Sequence, residues 1–119
     1  MTLTAIILVA VVAIEHLYFL YLEMFKWTAP KTIKAFGIKS KEFAKETIVL
    51  AANQGLYNGI LAAILIFSII KKNKEFAVFL LICVTIAGVY GSYSTKQKKL
   101  FYVQSVPAII GLIILFFNI

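Results

Sequence analysis

The chain contains no arginine, no aspartate and a single cysteine among its 119 residues. Without arginine, twelve lysines carry the whole positive charge, and a set without planar guanidinium groups is a poor reader of base edges. Nucleic acid is therefore set aside as a partner. One thiol, Cys83, excludes an intrachain disulfide, and its neighbours Ile82 and Val84 mark it as a packed side chain rather than a reactive one. Charged residues of either sign make up only 14 % of the chain, against about a quarter in soluble domains. There is no nucleophile elbow, zinc-binding helix motif, cysteine pair or phosphate-binding glycine loop, so no pattern indicates a metal or a particular cofactor.

What fills the chain instead is apolar: 62 % of its residues, with a mean hydropathy of +0.96. A water-soluble globule, apolar at about 45–50 %, is excluded. Four apolar runs, over 3–25, 48–70, 76–93 and 100–119, each approach the roughly 20 residues that cross a bilayer. They are rich in Ile, Val and Phe, which in water favour strands, but an open sheet cannot satisfy its backbone in lipid. The expected fold is all-α: a polytopic membrane protein whose four transmembrane helices form a bundle, one membrane domain over 1–119. The first run has no Lys or Arg before it, is longer than a signal-peptide core and holds ionisable residues, so it is expected to remain as a span.

Every lysine lies outside these runs. Six fall from Lys26 to Lys45, three at Lys71, Lys72 and Lys74, and three at Lys96, Lys98 and Lys99. In a four-span hairpin topology the first and third connections share a side, and the positive-inside rule puts their nine lysines in the cytoplasm. Both termini are then expected outside, in a bacterial cytoplasmic membrane. The connection 26–47 carries Pro30, a basic stretch to Phe36, Gly37 as a helix stop, and Ser40 with Glu42 and Phe43 opening a further helix. Lys31, Lys34, Lys41 and Lys45 alternate there with Ile33, Phe36, Ile38 and Phe43, which predicts an amphipathic segment on anionic inner-leaflet lipid. Ordinary juxtamembrane anchoring accounts for it without a specific partner.

The informative residues are polar ones where lipid should be. Glu15 and His16 fall halfway along the first span and Glu23 two turns later; a carboxyl at such depth costs several kcal/mol unless paired, protonated or facing a wet cavity. His16 and Glu23, seven apart, share one line along the helix, while Glu15 projects about 100° from His16. In the second span Asn53, Gln54, Tyr57 and Asn58 are spaced as a polar arc. Beside it Ala51, Gly55, Gly59 and Ala63 recur every four residues, a small-xxx-small stripe suited to close helix packing. That stripe serves a homodimer as readily as the fold of one chain. Tyr90, Gln104 and Pro107 add polar or kinked positions in the last two spans, and a kink at Pro107 would free carbonyls to line a cavity. By the expected topology Glu23, Asn53, Gln54, Tyr90 and Gln104 share the cytoplasmic half, which predicts a polar pocket there with Glu15, His16 and Asn58 near its floor. Placing Gln54 over Gln104 also aligns 61–67 with 111–117, a faint parallel repeat.

The run His16-Leu17-Tyr18-Phe19-Leu20-Tyr21-Leu22-Glu23-Met24-Phe25-Lys26-Trp27-Thr28 resembles the signature of an uncharacterised family of small four-span bacterial membrane proteins, classed as a domain of unknown function. The run Ala51-Ala52-Asn53-Gln54-Gly55-Leu56-Tyr57-Asn58-Gly59, and Ala87-Gly88-Val89-Tyr90-Gly91 with Gln104 and Pro107, extend the resemblance over the whole chain. It implies the four-span fold, a bacterial origin and His16, Glu23, Asn53, Gln54, Tyr57 and Asn58 as a shared polar set. It implies no activity, and Glu15 is not in its pattern.

Three functions fit these residues. The first is a small protein that binds or transports a compact polar ligand, with proton coupling through Glu23 and His16; a membrane-central Glu in the first of four short helices is similar in outline to small multidrug transporters, without their other motifs. The second is a membrane-embedded enzyme or redox-partner subunit using His16, Glu15 and Glu23, which barely supply the three or four ligands of a metal, with Glu15 and Glu23 projecting roughly 80° apart around the helix. The third is a structural, membrane-stabilising protein whose polar groups only fix helix pairing.

Overall fold

Apolar residues without a polar break satisfy their backbone in lipid only as helix, and helices are what the chain forms. The computed structural model describes all residues from Met1 to Ile119. Its elements are α1 (Leu3–Phe25), α2 (Pro30–Phe36), α3 (Lys41–Glu46), α4 (Ile48–Ile70), α5 (Lys74–Thr95), α6 (Lys98–Leu100), a π-helical turn over Phe101–Ser105, and α7 (Val106–Phe117). α1, α4, α5 and the continuous stretch Lys98–Phe117 are each long and apolar enough to cross a membrane, so the protein is all-α and polytopic. The first two spans end where the hydropathy pattern ends them. The third is longer than expected at both ends, because Asn73 caps it by accepting from the Phe76 N–H (3.1 Å) and Lys96 closes it in the left-handed region. The fourth starts two residues early and stops at Phe117, where Asn118 takes the left-handed conformation.

By its internal contacts the chain divides into two compact units, one of Met1–Ile14 with Ala63–Ile119, the other Glu15–Ala62. In the first, small residues set the helix spacing. Ala5, Val9, Val12, Ala77, Leu81, Val84, Ala108 and Leu115 are buried, and a Cβ at Gly111 would stand 2.9 Å from Leu81 Cδ1. Pro107 lacks an N–H and its ring crowds the carbonyl four residues back, which breaks the regular ladder. The break takes the form of the π turn at 101–105, a single wide turn inside the helical stretch. It half-buries Gln104 and buries Ser105, whose hydroxyl donates to the Thr85 carbonyl of α5 at 2.9 Å. α4 is regular helix at Gln54, so the backbone does not repeat where the faint sequence alignment pairs Gln54 with Gln104.

In the second unit, residues 15–25 of α1 and 48–62 of α4 pack through Gly55 and Gly59. A Cβ at Gly55 would lie 2.7 Å from Met24 Cγ and 3.0 Å from Glu23 Cβ, and one at Gly59 would collide with Leu20 Cδ1. This corrects one expectation. The glycines of the small-residue stripe are occupied by α1 of the same chain, and Ala63 is exposed, so the stripe is not free to pair two copies.

The connection is two short helices, as its capping residues predict. Pro30 opens α2, and Gly37 closes it at φ 65°, where a Cβ would be strained. Ser40 Oγ caps α3 by accepting from the Phe43 N–H at 3.0 Å. Lys31, Lys34, Lys41 and Lys45 are exposed, while Thr32 and Ala44 are buried, so both helices are amphipathic. Trp27 and Phe36 tie the connection to the spans. The Trp27 indole donates to Thr47 Oγ1 (3.0 Å) at the α3–α4 junction; its ring lies 5.3 Å from that of Phe36, which in turn lies 6.5 Å from Phe19 of α1.

Candidate functional site

Glu23 stands on the face of α1 that meets α4, and it is only 6 % exposed. Its position follows from the glycines: Gly55 and Gly59 let the two backbones approach until a carboxyl on one helix reaches an amide on the other. Asn58 Nδ2 donates to Glu23 Oε1 at 2.5 Å. A hydrogen bond between a carboxyl and an amide in a low-dielectric surround is electrostatically stronger than the same bond in water.

Two turns along the same line of α1, His16 is 2 % exposed and meets Phe19 edge to face, ring centroids 5.2 Å apart. Glu15, beside it, is half-buried, and its Oε1 is fully buried without a hydrogen-bond partner. Thr32 of α2 is 1 % exposed and its Oγ1 is likewise unpartnered. An orphaned polar atom in such surroundings costs roughly 1–3 kcal/mol. Sequence reasoning missed Thr32. Its signal was there: Thr32 and Phe36 are four apart in α2, on the face away from Lys31 and Lys34, so a residue that packs Phe36 against Phe19 and Trp27 also turns Thr32 inward.

The polar arc of α4 divides. Asn58 is half-buried against Glu23, whereas Asn53 and Gln54 are exposed and Tyr57 is 70 % exposed. Helical geometry explains the split. Asn53 and Tyr57 are each two residues from Gly55, about 160° around the helix from the face that α1 occupies, while Asn58 lies only about 60° from it. In the first unit, Tyr90 is 67 % exposed, and Gln104 is half-buried with its Cβ close to Gly88 of α5. So the structure brings Glu23 and Asn58 together, buries His16 on the same stripe, and turns Asn53, Gln54, Tyr57 and Tyr90 outward. No three His, Cys, Asp or Glu side chains are placed to share a metal ion.

Comparison with known proteins identifies a family and a relative. Residues 10–116 match the family described as "Protein of unknown function (DUF1304)". A curated relative, "Uncharacterized protein YpaA" from Lactococcus lactis subsp. lactis, is 35 % identical over 120 residues, covering 98 % of this chain and 100 % of that one. No solved structure matches.

Proposed function

The chain belongs to the DUF1304 family, and from that membership and its buried polar groups we propose that it is a bacterial membrane protein whose Glu23 carboxyl binds a compact polar ligand in exchange for a proton. The observation that carries this reading is a carboxyl 6 % exposed within a membrane span and held by Asn58. A group of this kind is expensive to keep in lipid and is a functional candidate by default. Asn58 orients the carboxyl, His16 lies two turns away on the same stripe, and the unpartnered oxygens of Thr32 and Glu15 belong to the same unit. Orphaned acceptors and hydroxyls favour a guest that brings its own donors. The exposed Asn53, Gln54, Tyr57 and Tyr90 are left out of this site, and Gln104 with them.

Guanidinium and urea, a cationic and a neutral planar donor that produce no passive pH change, are suitable probes. Proteoliposomes loaded with a pH-sensitive dye should show guanidinium-driven proton movement with the wild-type protein and none with Glu23→Gln, which keeps an acceptor for Asn58. Equal signals from the two proteins, or none from wild type with either probe while both fold, would favour the structural reading.

The topology belongs to the proposal. The nine lysines of the first and third connections face the cytoplasm and both termini face out. A membrane-impermeant amine reagent added to spheroplasts should label Lys71, Lys72 and Lys74 and reach the other lysines only after permeabilisation. The reverse pattern overturns the orientation.

A further inference from the structure

The face of α4 turned away from α1 presents an amide. Asn53 is the sixth residue of α4, about 8 Å along the axis from Ile48 at 1.5 Å per residue, and Gln54 and Tyr57 follow it inward. A helix of 23 residues spans about 35 Å, slightly more than a hydrocarbon core of about 30 Å, so Asn53 is inside the apolar layer. Acyl chains offer it neither donor nor acceptor, and asparagine is too short to reach far toward the headgroups. Leu56 and Ile60, 49 % and 47 % exposed, continue the same face three and seven residues on.

We propose that this face docks a second copy of the chain, α4 against α4, about a two-fold axis along the membrane normal. Two copies inserted with one topology hold every residue at the same depth, so such an axis sets Asn53 opposite Asn53. A primary amide carries two donors and a carbonyl acceptor, so identical amides satisfy each other. Asn53, Leu56 and Ile60 follow the i, i+3, i+7 seam of parallel helix pairs, with one asparagine at a position that fixes register. A second copy always presents the complementary groups at the required depth. The interface is separate from Glu23 and Asn58, which face α1, and it does not depend on the function proposed for them.

The test uses the full chain in lipid vesicles, with Cys83→Ser as background. Leu56→Cys should give a disulfide-linked dimer on mild oxidation, while Ile86→Cys, on an exposed part of α5, should not. Replacing Asn53 by Ala should raise the dimer dissociation constant, read by single-molecule photobleaching on lipid dilution, about tenfold. Should that variant fail to fold, Ile60→Trp, which adds bulk to the same face without a polar change, must weaken the dimer instead. A monomeric wild type at high protein-to-lipid ratio, cross-linking at Ile86→Cys but not Leu56→Cys, or a dissociation constant unmoved in the folded variants overturns the proposal. The first of those outcomes would mean that headgroups and water satisfy the amide.

Discussion

Replacing Gly88 by valine is expected to abolish the cooperative thermal transition of the purified protein, and Gly88→Ala to lower its stability by about 1–3 kcal/mol. A Cβ there would collide with Ser105 Oγ and stand 2.9 Å from the Ser105 backbone nitrogen and 3.0 Å from Gln104 Cβ. The hydroxyl can rotate, but the backbone nitrogen cannot withdraw without moving the whole π turn. Ser105 is fully buried and its hydroxyl bonds the Thr85 carbonyl, so a shift of the turn also breaks that contact. Valine adds two methyl groups to the same collision. Gly91 provides the control on the same helix: its Cβ would lie 3.6 Å from Leu100 Cδ1, an ordinary contact. Gly91→Ala should therefore be neutral, or stabilising by up to about 1 kcal/mol through the lost flexibility of glycine in a helix. Thermal unfolding in one detergent, followed by circular dichroism, separates the three variants; equal behaviour of Gly88→Ala and Gly91→Ala would contradict the packing described.

Gly88 also illustrates what the sequence makes legible. Length and apolar content alone specify four spans, and capping residues such as Ser40, Gly37 and Pro30 place the ends of the short helices, because these signals act over one turn of chain. Which face of each helix is buried is a matter between helices. Asn53, Gln54, Tyr57 and Asn58 read as one polar arc because all four are polar. Yet the close approach of α4 to α1 is governed by Gly55 and Gly59, and only Asn58 lies near enough to that line to be drawn inward. The glycines outrank the amides because backbone approach decides the packing face, and polar residues then adapt to it. Pro107 was legible as a disturbance, but its outcome was not: the π turn forms upstream of the proline and buries Ser105, a residue that no composition argument singles out. Glu23 and His16 stand out for the opposite reason. Ionisable side chains inside a span are rare, so their positions alone carry information.

The Glu23–Asn58 pair can be separated into structural and functional parts by a double-mutant cycle. Asn58→Leu should destabilise the protein by about 1–3 kcal/mol, because it leaves a buried carboxyl without its donor. Glu23→Leu should cost a comparable amount by orphaning the half-buried amide. Combining the two should recover most of the loss, since replacing both partners of a buried hydrogen bond with apolar groups approaches neutrality. The recovered stability then measures the pair's coupling, and it comes with a consequence for function. If the pair serves only to join α1 to α4, the leucine double variant performs whatever the wild type performs. If Glu23 exchanges a proton for ligand, that variant folds as well as wild type and yet moves no protons in guanidinium-challenged proteoliposomes. The same structure thus yields a stable protein with and without the carboxyl, and only the carboxyl-dependent activity distinguishes a working site from a helix clamp.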